Sequence, residues 1–180
     1  MSTPPPTDPA SEHDALLHAA NQGGMHAFTE EDYYQTLITL ADWGDAKAQH
    51  NLGALFLEGI EIQQDFQEAL KWHTLAAQQG MALAQHDLAT MYLEGLGVEE
   101  DPVQAAHWFR LAAEQGDAKA QNNLAILYAT GQGVALDLIQ AYLWFSKAIQ
   151  EGMFEALDNR EMAEQDMTPE QLREARRLLG

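Results

Sequence analysis

The chain of 180 residues contains no cysteine. That excludes disulfides and thiolate metal sites, and it is in keeping with a cytoplasmic setting. Positive charge is also scarce: nine Lys and Arg stand against 28 Asp and Glu, a formal net charge of −19, and neither Lys nor Arg occurs before Lys47. Nucleic acid and anionic membranes are repelled by such a chain, so neither is expected as a partner. The plain use of the charge is solubility; the sharper one is attraction to a basic partner. No run of about 18 apolar residues occurs, so no membrane span is expected. The opening MSTPPPTDPASEHD lacks the basic and apolar segments of a secretory signal, so none is expected there. No HExxH motif and no readable arrangement of nucleophile, base and oxyanion donors occurs either. No catalytic residue, metal or cofactor is therefore assigned.

What is present is repetition. Asp101 to Gly116 reads DPVQAAHWFRLAAEQG. Asp101 is placed to cap a helix, Pro102 suits its first position, and Gly116 suits its end. Ala105, Trp108, Leu111 and Ala112 recur at three- and four-residue steps and make one apolar face. The same pattern returns 36 residues earlier (Asp65, Ala69, Trp72, Ala76, Gly80) and 36 residues later (Asp137, Ala141, Trp144, Ala148, Gly152). Each copy is preceded by a first helix with A-x-A-Q-x-x-L: Ala46, Ala48, Gln49, Leu52; Ala82, Ala84, Gln85, Leu88; Ala118, Ala120, Gln121, Leu124. An aromatic follows (Phe56, Tyr92, Tyr128), then a glycine. Units 45–80, 81–116 and 117–152 share ten identical positions, which makes them copies of one unit to be read together.

The flanks are looser. Residues 1–8 form a Pro-rich arm expected to be disordered. Residues 9–44 fit the same frame in degenerate form, with Leu16, Gly23 and Gly44 in register and Thr29 at the capping position. Residues 153–180 begin another unit and end in a Thr168-Pro169 cap and a short helix, a C-terminal cap for the array. The loop G-x-G-V is intact at Gly95, Gly97, Val98 and at Gly131, Gly133, Val134, but Glu61 replaces its second glycine in the first clear unit. That turn is expected to be reshaped or strained. The expectation is a single domain over 9–180: all-α, about ten antiparallel helices stacked as an α/α superhelix. Trp72, Trp108 and Trp144 are expected in its core.

These motifs resemble Sel1-like repeats, relatives of tetratricopeptide repeats. The resemblance rests on A-x-A-Q-x-x-L-(G/A)-x-x-(F/Y), on G-x-G-V-x-x-D and on A-x-x-W-x-x-x-A-x-x-x-G, strongly over 45–152 and loosely outside. It implies a binding scaffold rather than an enzyme, of the kind that serves bacterial signalling, envelope assembly and host contact. Some secreted relatives staple each repeat with cysteines, and this chain departs from that pattern.

Binding residues are expected on the concave face, between the buried positions of the first helices. Those columns hold Lys47, His50, Asn51, Leu57 and Glu58 in the first clear unit. They hold His86, Asp87, Thr90, Leu93 and Glu94 in the second, and Asn122, Asn123 and Ile126 in the third. Asn and His can bond a peptide backbone, and the leucines offer an apolar patch. His50 and His86, with Asp87 as the nearby carboxylate, fall short of a zinc set, which needs nitrogens at about 2.0–2.1 Å and further donors. Trp43 stands where later units carry Gln79, Gln115 and Glu151, and with Phe28, Tyr33 and Tyr34 it makes the first unit aromatic. It is either a cap against the arm or a binding hot spot. The function expected is a monomeric, non-enzymatic adaptor that holds a polypeptide in its groove. The alternative is an acidic inhibitor or immunity-like protein that neutralises a basic enzyme.

Overall fold

The computed structural model describes residues 30–60 and 62–180. The arm, Leu16, Gly23, Phe28, the Thr29 cap and Glu61 lie outside the described residues. Among them the chain forms nine helices and no strand: α1 (Glu30–Asp42), α2 (Ala46–Glu58), α3 (Phe66–Gln78), α4 (Ala82–Glu94), α5 (Pro102–Glu114), α6 (Ala118–Thr130), α7 (Leu138–Gln150), α8 (Ala156–Asp166) and α9 (Pro169–Leu179).

Local chemistry sets these boundaries. Asp65, Asp101 and Asp137 each accept two backbone N–H groups of the helix that follows, satisfying donors left open by the first turn. Asp45 and Asp117 cap α2 and α6 with one such bond each, accepting from the N–H of Ala48 and Ala120 at 2.7 Å. Thr168 and Gln171 form a reciprocal capping box, and Pro169 starts α9.

From α1 to α8 each helix packs on the next, while α9 packs back on α7, and the array is an α/α superhelix of antiparallel pairs: α2 on α3, α4 on α5, α6 on α7, with α3 on α4 and α5 on α6 joining them. Close approach is possible because the facing positions are small. Ala69, Ala76, Ala105, Ala112, Ala141 and Ala148 are fully buried; Ala76 packs with Leu88, Ala105 and Ala112 with Leu124, and Ala141 and Ala148 with Ala125 and Phe145. The three tryptophans divide, contrary to expectation. Trp72 is buried, but Trp108 and Trp144 are only half-buried, and the fully enclosed aromatics are the next residues along, Phe109 and Phe145. Trp108 and Tyr92 touch the two clusters on either side of α5, and Trp144 and Tyr128 the two around α7. They fill the seam between units while the phenylalanines fill its centre.

Glutamine carries the polar part of the joint. In each clear unit the Gln of A-x-A-Q is buried and its Nε2 donates to a carbonyl at the end of the preceding helix: Gln49 to Ala41, Gln85 to Ala77, Gln121 to Ala113. Gln79 and Gln115 then donate to Gln49 Oε1 and Gln85 Oε1 at 2.8 and 2.7 Å. The third unit has Glu151 at that position, and Gln121 Oε1 is left buried without a partner. The loop glycines have an equally specific cause. Gly97 and Gly133 sit at φ +70°, and a Cβ there would lie 2.3 Å from Phe66 O and 2.0 Å from Pro102 O, so each loop rests backbone to backbone on the preceding unit.

Candidate functional site

The columns expected to face a partner form one strip along α2, α4, α6 and α8, and their first partners are one another. A residue on one first helix bonds the residue 37 positions on, one helix over. His50 Nε2 donates to Asp87 Oδ2 at 2.8 Å, Asn123 Nδ2 to His86 Nε2 at 3.4 Å, and Asn159 Nδ2 to Asn122 Oδ1 at 3.0 Å. The offset is one more than the repeat, so two adjacent columns interlock as rungs. Asn122, expected to face the groove, is buried by its rung. His50, His86, Asp87 and Asn123 are half-buried, and Asn51 and Lys47 are exposed.

The densest part of the strip surrounds Asp87. An ionised carboxylate only accepts, so His86 Nδ1, 3.1 Å from Asp87 Oδ1, carries the proton and donates it, and His86 Nε2 is free to accept from Asn123. The other oxygen, Oδ2, takes His50 and lies 4.0 Å from Nδ1 of His73. His73 comes from α3, is fully buried, and has no hydrogen-bond partner at either nitrogen. Its ring meets that of His50 edge to face, centroids 5.4 Å apart. The next unit repeats this geometry with His86 against Phe109. His73 therefore stands where Phe109 and Phe145 stand, an imidazole in an aromatic core position. Space for it depends on Gly53, where a Cβ would come within 3.0 Å of the ring; the later units have Ala89 and Ala125.

The charges follow from these contacts. The hydrogen bond to Asp87 outweighs burial and raises His50 above the ordinary histidine value. Burial lowers His73 to about 4, so it is neutral at pH 7. Burial alone would raise Asp87, but the bonds from His50 and His86 together hold its carboxyl well below the usual carboxylate range. Two imidazoles and a carboxylate oxygen thus lie within 4.8 Å of one another, the only such set among the described residues.

Away from the rungs the strip opens into clefts. Thr90, Leu93, Glu94, Asn123 and Ile126 line one of about 180 Å³, between α4 and α6 over Phe109. Ile126, Asn159, Met162 and Ala163 line one of about 230 Å³ between α6 and α8. Ile126 belongs to both. Leu57 is half-buried, and Glu58 is exposed at the end of α2. Trp43 and Tyr33 are 42 % and 47 % exposed, so the aromatic first unit presents surface. Sequence columns brought together five residues of the first cleft. They missed His73, whose signal is a histidine in a column of phenylalanines, and Asn159, which follows the third clear unit.

A family model described as the Sel1 repeat matches residues 46–81, 82–117 and 118–153, the frame of the helix pairs shifted by one residue from the units read in the sequence. The fold is similar to the crystal structure of a protective antigen of uropathogenic Escherichia coli strains with an SLR fold. The TM-score is 0.79 and the identity 34 %, over 94 % of this chain and 38 % of that one, so the chain spans under two fifths of the antigen's length. It is also similar to a Sel1 repeat protein from Oxalobacter formigenes (TM-score 0.65, 35 % identity, 71 % of this chain and 96 % of that one). Cysteine-rich protein B of Helicobacter pylori shares the fold at 21 % identity, with TM-score 0.58 over 72 % of this chain and 96 % of that one. No curated protein matches the sequence.

Proposed function

Since the chain belongs to the Sel1 repeat family, we propose that it is a non-enzymatic adaptor that holds a polypeptide partner along the strip of its first helices. Proteins of this family generally mediate protein–protein interaction. The observation that carries the proposal is the pair of clefts sharing Ile126, each with an apolar floor and a rim of Thr90, Asn123, Asn159 or Glu94. Adjacent apolar pockets flanked by donors and acceptors suit successive side chains of an extended peptide or one face of a helix. The absence of cysteine favours a cytoplasmic place of work. Among the described residues no helix is long and apolar enough to cross a membrane.

The test begins with affinity capture of the partner and calorimetry on the purified pair. Glu94→Lys with Ile126→Thr should weaken binding by about tenfold or more, about 1.4 kcal/mol, with circular dichroism unchanged. Parent-like affinity would refute the groove. The charge of −19 favours a second reading, an acidic inhibitor of a basic enzyme. In that case losses follow acidic residues outside the clefts, and the association rate falls steeply with salt.

A further inference from the structure

We propose that His50, His73 and Asp87 form a binding site for one divalent transition-metal ion, Zn²⁺ in the first instance, on the open strip between α2, α3 and α4. The site needs nothing from the adaptor reading.

Its donors are chemically apt. Two imidazole nitrogens and one carboxylate oxygen are a common ligand set for zinc and its first-row neighbours. They come from three helices, α2, α3 and α4, so the fold itself assembles them. Their ligand atoms all lie within 4.8 Å of one another, with His50 Nε2 and Asp87 Oδ2 at 2.8 Å and His73 Nδ1 and Asp87 Oδ2 at 4.0 Å. Ligands at about 2.1 Å around a tetrahedral ion stand about 3.4 Å apart, so shifts of about half an ångström or a little more convert this triangle into a coordination shell. The ion takes the place of the proton now shared by His50 and Asp87.

Three further observations point to a ligand rather than to packing. His73 is 0 % exposed, and both its nitrogens lack partners, although unpaired buried imidazole groups are costly. Two sister units solve the same position with phenylalanine, so packing does not demand a histidine. The carboxylate is already aimed: His86 holds Oδ1, which leaves Oδ2 facing the two nitrogens, and such outer contacts orient metal ligands. Asp87 and His50 retain 31 % and 16 % side-chain exposure, so an ion can enter and a fourth coordination position faces the groove.

The test uses the full chain without a histidine tag, freed of metal with a chelator and titrated with Zn²⁺ in a calorimeter. One ion per chain should bind with a dissociation constant of about 10 µM or tighter, and Co²⁺ should give the visible absorption of a tetrahedral nitrogen–oxygen site. His73→Phe restores the residue of the sister units, so the variant should fold, and it should weaken Zn²⁺ binding at least about tenfold. Asp87→Asn, nearly the same in shape, should do likewise. A variant with His13, His18, His26 and His107 changed to Ala should bind as the parent does. The proposal is overturned by an absence of saturable binding below about 100 µM Zn²⁺, or by parent-like binding in either His73→Phe or Asp87→Asn. Loss of binding in the four-histidine variant would overturn it equally, by moving the ion elsewhere.

Discussion

Glu151→Gln should stabilise this protein, and the reason lies in one atom. In the first two clear units a glutamine at the end of the second helix donates to the buried Gln of the neighbouring first helix. In the third unit the donor is missing, because Glu151 is a carboxylate and can only accept. Gln121 Oε1 is consequently a buried acceptor with nothing to accept. Supplying the hydrogen bond is worth about 1 ± 0.5 kcal/mol net. A second gain has the same sign. Glu151 sits at the C-terminus of α7, where a negative charge opposes the helix dipole, and neutralising it adds about 0.3–1 kcal/mol at low salt. The sum is about 1–2 kcal/mol, which for a chain of this size raises Tm by roughly 2–8 °C. Differential scanning calorimetry of the two proteins measures it directly. Repeating the substitution in a Gln121→Ala background separates the parts, since only the dipole gain should survive. The reciprocal change, Gln115→Glu, should orphan Gln85 Oε1 and cost a comparable amount. A Glu151→Gln protein no more stable than the parent, or one that gains as much without Gln121, would refute the reasoning.

Three further outcomes are expected from urea melts. Phe109→Ala should cost about 3–5 kcal/mol, and Trp108→Ala distinctly less because part of that ring already faces solvent; the reverse order would place the core on the wrong residue. Gly133→Ala should destabilise by at least about 1–3 kcal/mol, since alanine is strained at φ +70° and its Cβ meets the Pro102 carbonyl; a neutral result would show that the loop simply moves away. Asp101→Ala should cost about 1 kcal/mol through the loss of two capping bonds to Val103 and Gln104, and no change would mean that water replaces them.

The fold was legible because its determinants are local and repeated. Asp65, Asp101 and Asp137 announce helix starts by their own chemistry, and a period of 36 residues needs no knowledge of contacts. The core was less legible. Ala105 and Ala112 are compatible with either Trp108 or Phe109 as the buried partner, and identity in all three units draws attention to tryptophan. Yet the narrow space between alanine-lined helices encloses the smaller ring and leaves the larger to bridge the seam. The candidate site was only half legible, for a geometric reason. Columns read at the repeat period group His50 with His86 and Asp87 with Asn123. Neighbouring first helices interlock one residue further on, so the physical pairs are His50 with Asp87 and Asn122 with Asn159. His73 lies on a second helix, and no pattern within the first helices leads to it.

That interlock also decides how the strip can be probed. In the sequence, Asn51, His86 and Asn123 look like interchangeable groove residues, and replacing all three with alanine looks like a test of binding alone. In the structure only Asn51 is exposed. His86 and Asn123 are the two ends of one rung, and His86 also orients Asp87. Their removal takes away that rung at the joint between units and deprives Asp87 Oδ1 of its bond from His86, so a fall in partner affinity would be confounded by a fall in stability. Glu94 and Ile126 make no rung, and they reach the clefts from α4 and α6. A loss of binding on changing them, with Tm within a few degrees of the parent, reports contact with the partner. Rungs and clefts alternate along the same face. Asn123 and Asn159 serve both, as rung and as cleft rim, whereas Glu94 and Ile126 line the clefts without a rung, so substitutions can separate the two roles only when chosen from the structure.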